Sequence, residues 1–284
     1  MKIGIIADSL QKDLYAALKE AKELGANGVQ IYAKNEHGRW NLLEFSEEQL
    51  ASLKAELEKN GLEVSAVCGD LGGHAFQDPA SDRVEKTKQI MDIAKYLGAS
   101  VVTCHIGTVP EDPAHERFCV MKDQLIGVAQ YGESIGVTLA VETGPETAVT
   151  LKRFIDAVGS KGLGVNLDPA NMKMVLDEDI VKATKILGPH IVHTHAKDGV
   201  HYRKCDPFVV YNAFAEGGFA QLVAETGELF AEVPLGEGQV PWDEYLAELK
   251  AIPFDGYLTI EREVGADPAA DIATAVRFLK SKIG

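Results

Sequence analysis

Cysteine is scarce in this chain and never paired at short range. Cys68, Cys104, Cys119 and Cys205 lie far apart, with no C-x-x-C among them. That argues against a disulfide frame or a cysteine-based zinc cluster and fits reduced thiols in a cytosolic protein. Cys68 and Cys104 end apolar runs and read as small buried hydrophobes. No run of about 18 apolar residues occurs, so no membrane span is expected. The first residues, MKIGIIADSL, form too short an apolar run for a signal peptide and lack a small-residue cleavage site, so a cytoplasmic location is expected. Basic residues are in deficit: 28 Lys and Arg stand against 43 Asp and Glu, a net charge of −15. Such a field repels nucleic acid and anionic lipid alike and favours a small, neutral partner. Phosphate-binding loops are missing too. There is no G-x-x-x-x-G-K, and the place after the first strand, where a nucleotide fold carries its glycines, reads Asp8-Ser9-Leu10-Gln11.

What is present is a repeat. Apolar strand-like runs at 2–8, 28–33, 63–70, 100–107, 137–144, 163–168, 191–198 and 256–263 alternate with stretches of helical period. The helices are expected near 13–25, 46–60, 82–98, 116–135, 150–159, 177–187, 241–251 and 268–282. Ser46 with Gln49 makes a capping box, and Gly25, Gly61, Gly98, Gly136 and Gly188 follow helical runs where the chain must turn. Eight strand–helix units in strict alternation predict a single (β/α)8 barrel, α/β in class, over residues 1–284. No Pro/Gly/Ser linker or charge run divides the chain. One segment departs from the repeat. Residues 199–240 form a loop far longer than its counterparts, aromatic-rich, with a short helix or hairpin expected near 219–231. Following a strand, it belongs on the catalytic face and reads as a lid or substrate cover, an oligomer contact or a decorative insertion being the alternatives.

Alternate residues of a strand share a face. Glu142 then shares one with Ala140 and Thr138, Asp168 with Asn166, His195 with His193 and Lys197, and Glu261 with Thr259 and Tyr257. Each of the last four strands thus puts small or polar groups on one face and aliphatics on the other. The four named residues lie at the carboxyl ends, where barrel active sites are built. Three carboxylates brought together would repel, and a divalent cation relieves the repulsion. An imidazole completes a mixed oxygen and nitrogen shell suited to Mn²⁺, with Mg²⁺, Co²⁺ or Zn²⁺ as alternatives. Each residue also has a plain structural reading. Glu142 would cap a helix or pair with Lys152, Asp168 would be the N-cap before Pro169, His195 would be a core histidine with His193 as ligand, and Glu261 would pair with Arg262 or Lys282. Substrate contacts are expected from His105, His74, Trp40 and Lys197.

At these motifs the chain resembles, over nearly its full length, the xylose isomerase-like barrels of the sugar phosphate isomerase/epimerase superfamily. The resemblance rests on the glutamate ending VTLAVET, the aspartate in VNLDPANM, HAKD, PLGEGQVPW and the glutamate in LTIERE. It implies metal ligation by Glu142, Asp168, His195 and Glu261, with the two glutamates also acting as the acid–base pair. Two positions depart from the ketohexose 3-epimerase pattern: Asn171 stands where those enzymes look to have a histidine, and His201 where they have an arginine, for which Arg203 is the candidate substitute. The expected activity is a metal-dependent isomerisation or epimerisation of a small free sugar or keto-sugar through an enediolate. Elimination on a keto-sugar or its glycoside, and a sugar-binding barrel without catalysis, are the alternatives. A homo-oligomer is expected.

Overall fold

The computed structural model describes all residues except Glu36 and His74; His74, one of the expected substrate contacts, thus lies outside the described residues. The strands in chain order are β1 (Lys2–Ile6), β2 (Gly28–Tyr32), β3 (Glu63–Cys68), β4 (Val101–Cys104), β5 (Thr138–Glu142), β6 (Leu163–Leu167), β7 (Ile191–Ala196), β8 (Asp198–His201), β9 (Phe230–Val233) and β10 (Tyr257–Ile260). Eight of them, all but β8 and β9, pair in parallel and close a barrel in the order β1-β10-β7-β6-β5-β4-β3-β2. The fold class is the one the alternation predicts. Every barrel strand falls inside its expected run but ends one to three residues sooner. His105, Asp168, Lys197 and Glu261 therefore lie just past the last ladder bonds, where the chain splays to form the mouth.

The helices are α1 (Leu14–Leu24), α2 (Glu47–Asn60), α3 (Arg83–Tyr96), α4 (Glu116–Ile135), α5 (Ala148–Val158), α6 (Pro169–Leu176), α7 (Ile180–Leu187), α8 (Pro207–Glu216), α9 (Phe219–Thr226), α10 (Trp242–Ala251) and α11 (Pro268–Ile283). The Ser46–Gln49 capping box closes in both directions. Where one helix was expected near 177–187 there are two. α6 begins directly on Asp168-Pro169, and Asp177, at φ 51°, breaks the chain before α7. Gly188 does not close a helix in left-handed conformation as expected. Its φ is −42°, and it is glycine because a Cβ there would lie 2.9 Å from Ile252 Cγ2.

The barrel's outer faces and the inner faces of the helices share one apolar core. The interior below the mouth is polar instead. Gln30, His193, Thr259, Asn166 and Ser65 are all buried there, and Ser65 Oγ reaches Thr259 Oγ1 across the barrel at 3.4 Å. These groups bond one another in part, leaving Gln30 Nε2 and Asn166 Oδ1 without a partner among the described residues.

The 199–240 segment is a folded insertion rather than an open loop. β8 and β9 make an antiparallel ribbon, Asp198 opposite Val233 and His201 opposite Phe230, with α8 and α9 between them. Its aromatics stack on each other: Phe214 on Phe219 at 4.2 Å and Phe219 on Phe230 at 5.6 Å. Among the described residues no helix is long and apolar enough to cross a membrane.

Candidate metal centre

Four side chains meet at the carboxyl end of the barrel. Glu142 is the last residue of β5, Asp168 and Glu261 come directly after β6 and β10, and His195 lies in β7. One ligand atom from each falls within 4.8 Å of the others, and all four residues are buried. His195 Nδ1 stands at the centre, 3.4 Å from Glu142 Oε1, 3.5 Å from Asp168 Oδ2 and 3.3 Å from Glu261 Oε2. Both His195 Nδ1 and Asp168 Oδ2 are buried without a hydrogen-bond partner. Orphaned acceptors aimed at one point are what a cation would satisfy, and three oxygens with one imidazole nitrogen fit a divalent ion.

The surroundings orient this set. Gln30 Oε1 lies 3.1 Å from both His195 Nε2 and His193 Nε2. An amide oxygen only accepts, so Gln30 favours a proton on His195 Nε2, while Asn166 Nδ2, a donor, lies 3.1 Å from the same nitrogen; Nδ1 is the atom that faces the carboxylates. His193, whose Nε2 also meets Thr259 Oγ1 at 3.0 Å, is the core histidine of the pair. Asp168 is the N-cap of α6 and still has an oxygen free for an ion. Oδ1 accepts from the Asn171 backbone N–H at 2.8 Å, capping α6, while Oδ2 is left for the centre. Glu142 takes Asn171 Nδ2 on Oε1 at 3.0 Å and Asn166 Nδ2 on Oε2 at 3.2 Å. Lys152 instead pairs with Asp156, and Thr147 caps α5. Glu261 is met by Lys197 Nζ at 3.0 Å, whereas Arg262 goes to Glu232 and Asp271, and Lys282 to Asp243.

The electrostatics follow from burial and crowding. Burial pushes Asp168 up, against the pull of His195 and Lys197. Burial would lower His195, but Glu142 and Glu261 outweigh it and hold the imidazole well above its ordinary value. Burial would raise Glu261, and Lys197 and His195 instead hold it well below the usual carboxylate range.

Of the expected substrate contacts, the structure brings two to the centre. His105 Nδ1 bonds Asp70 Oδ2 at 2.9 Å and Nε2 lies 3.5 Å from Glu142 Oε1. Burial opposes its charge, yet Glu142 and Asp70 push it up to about 10. Lys197 is buried and meets Glu261, Glu263 and, at 3.8 Å, Glu232 of β9. Its charge is thereby neutralised, and it links the insertion to a ligand of the centre. Trp40 is placed elsewhere. It is 6% exposed in the apolar core, its indole N–H donating to Tyr32 O at 2.8 Å. Arg203 is exposed and turned toward the end of α9, donating to Thr226 O at 2.7 Å, so it does not stand in for the arginine of the epimerase pattern. His201 faces Met174 O at 2.8 Å.

Several groups were not singled out from the sequence. Gln30 and Asn166 fix His195 and Glu142; a polar residue inside each apolar run was the available signal. Asp70, three residues beyond Val67 in β3, holds His105. Asp198 of the HAKD segment is buried and accepts from Gly236 N, Val240 N and Trp242 Nε1. A Cβ on Gly238 would lie 2.1 Å from its Oδ1. The PLGEGQVPW stretch is thus the strap that closes the insertion onto Asp198. Glu146, in the loop after β5, is buried with Oε1 unpartnered. Burial, eased by the Val109 N–H, pushes it up to about 8. Tyr211 of α8 reaches the same loop. Beside Glu261, a cavity of about 110 Å³ is walled by Asp8, Tyr32, Asn35 and His37.

A closed parallel barrel with a buried Glu/Asp/His cluster that could hold a cation at its carboxyl mouth defines the class of protein. The model of the xylose isomerase-like TIM barrel family matches residues 18–282, and the chain belongs to that family. Solved structures of the same fold include a xylose isomerase domain protein of Planctomyces limnophilus, 25% identical, covering 93% of this chain and 90% of that one at TM-score 0.74. A probable 3-DHS dehydratase of petrobactin synthesis from Bacillus anthracis is 18% identical over 99% of both chains, at TM-score 0.75. A D-psicose 3-epimerase of Clostridium cellulolyticum H10 is 17% identical over 100% and 99%, at TM-score 0.74. An uncharacterised Methanocaldococcus jannaschii protein is 22% identical over 63% of this chain, and the match spans 56% of its length.

Proposed function

We propose that this protein is a divalent-metal-dependent isomerase or epimerase of a small uncharged keto-sugar. The observation that carries the reading is the pair Glu142 and Glu261. They project from strands with two others between them, on either side of orphaned acceptors Asp168 Oδ2 and His195 Nδ1. Glu142, Asp168, His195 and Glu261 would hold the ion, Mn²⁺ being the first candidate. Such an ion would polarise the carbonyl and offset the charge of the enediolate. The chain's own residues do the rest. One glutamate takes the proton from the carbon beside the carbonyl and the other returns one, while the Asp70–His105 pair orients a substrate hydroxyl next to Glu142.

An uncharged substrate follows from how the cations at the site are spent. Lys197 faces three glutamates, and Arg262 faces Glu232 and Asp271. Among the described residues a phosphate or carboxylate would meet carboxylates, and the cations beside them, Lys197, Arg262 and His105, are each already paired with carboxylates. Asn171, bound to Glu142, and His201, bound to Met174 O, remove two expected sugar contacts of the ketohexose enzymes, so a related keto-sugar or keto-glycoside fits better than a simple ketohexose.

Elimination is the second reading, supported by His105. Held by Asp70 and protonated beside Glu142, it could give its proton to a departing hydroxyl, which leaves as water. The test is incubation of the Mn²⁺-loaded protein in deuterated water with ketopentoses, ketohexoses and 3-keto-glucosides. Deuterium at the carbon whose configuration changes is expected, and Glu142→Gln and Glu261→Gln, with metal retained, should each lose about 10²–10⁴-fold in rate. Conversion without deuterium would replace the two-glutamate mechanism by a hydride shift. Loss of water would favour elimination. Binding without any exchange would leave a sugar-binding barrel.

A further inference from the structure

Tyr211 ends the aromatic row of the insertion. Phe214, Phe219 and Phe230 stack on one another, Phe214 meets the Tyr211 ring edge-on at 6.1 Å, and Tyr211 reaches the loop that follows Glu142 with its hydroxyl. Its ring centroid lies 6.1 Å from that of His105. Its hydroxyl reaches so far into that loop that a Cβ on Gly144 would lie 1.9 Å from it. Gly144 also has φ 151°, so the loop is shaped around the phenol at a position other residues adopt only with strain. Packing alone explains the ring but not the oxygen. A phenylalanine would fill the same space with no polar atom to satisfy. Among the described residues the hydroxyl makes no hydrogen bond, and it is not sealed from solvent, since Tyr211 is only partly buried. The ring stands beside His105, whose Nε2 lies 3.5 Å from Glu142 Oε1.

We propose that Tyr211 is the insertion's contribution to the active site: its hydroxyl hydrogen-bonds an oxygen of the substrate held between Glu142 and Glu261. This rests on the keto-sugar reading above. The other wall of the site, around Asp8 and Asn35, comes from the barrel's own β1 and β2 loops. Tyr211 is therefore the group by which a change in the insertion changes which sugar is accepted, without touching the ion's ligands.

The test compares wild type, Tyr211→Phe and Tyr211→Leu as Mn²⁺-loaded full chains, with D-psicose, D-tagatose and a 3-keto-D-glucoside as probes. Tyr211→Phe should keep the metal content and Tm of wild type and lose about tenfold or more in kcat/KM, as removal of a substrate hydrogen bond does. Tyr211→Leu, which also removes the ring beside His105, should lose at least as much. If Tyr211→Phe matches wild type while Tyr211→Leu is impaired, the ring only packs and the proposal is wrong. Equal activity of all three overturns it as well. A wild-type protein that takes up Mn²⁺ but neither binds nor exchanges any of the sugars sinks the keto-sugar reading itself, and this proposal with it.

Discussion

Asp168 and Asn166 are fully buried, and His195 is 1% exposed. In the insertion, by contrast, α9 buries no residue and α8 buries only Val210. The ligand set is over-determined by ladder bonds, by an N-cap and by amides on both sides. The insertion rests on a strap at Asp198, on stacked phenylalanines and on Arg117, which lies 4.6 Å over the Phe208 ring. The difference separates two jobs. A site that must hold three carboxylates together needs a rigid frame, because any slack lets them drift apart. If the insertion is the cover expected from its place after β7, its looser packing suits a part that must admit and release a substrate.

The sharpest way to break this contrast is through the frame. Asp168→Ala and His195→Ala should deplete bound metal and abolish the rise in Tm that wild type shows on Mn²⁺ addition. A ligand at a hundredfold excess over its Kd stabilises by about 2.7 kcal/mol. Metal analysis and calorimetry read both effects, and full occupancy in both variants would refute the ligand set. Metal uptake should also weaken as the pH falls, because the carboxylates hold a proton on His195 that the ion must displace.

Replacing residues 204–228 by a short flexible linker tests the other region. Metal content should survive, since no ligand is removed, while KM rises or turnover falls by about tenfold or more. If activity is kept and only the oligomeric state changes, the insertion is an interface and not a cover.

What the sequence could reveal follows the same division. The barrel was legible because strand and helix periods are local, and the four ligands because the period of two puts them on inward faces at strand ends. The roles within the set were not legible. Nothing in IVHTHAKD tells His195 from His193; the distinction lies in what each ring meets, three carboxylates at His195 Nδ1 and Thr259 Oγ1 at His193 Nε2. Nor does it appear, before its two oxygens are placed, that Asp168 can cap α6 and still offer an oxygen to the centre. Trp40 is expected from the sequence to contact substrate, but a tryptophan at a barrel mouth and a tryptophan in the core differ only in tertiary packing. The insertion was recognised by its length, yet its ribbon and the reach of Tyr211 depend on contacts with β5 and α6 that no local pattern encodes.

The smallest effect lies on the seam between the two regions. Glu146 belongs to the barrel's β5 loop, but its charge is felt both by His105 and by Tyr211 of α8. Burial raises it from its ordinary 4.5 to about 8 in the folded protein. Between those values the folded chain keeps a proton that the unfolded chain releases, so the stability this group contributes is complete below pH 4.5 and is lost as pH rises through about 8. Glu146→Gln removes the ionisation and should be more stable than wild type at pH 9, by a few kcal/mol at most, a tenfold change in proton affinity being about 1.4 kcal/mol. At pH 4.5 the two proteins should unfold alike. Urea unfolding across that range reads the difference, and parallel curves would mean that Glu146 is solvated after all. Repeating the measurement on the chain lacking 204–228 ties the result to the comparison. If α8 helps to bury Glu146, the advantage of the glutamine shrinks there. If the barrel loop alone does so, it persists.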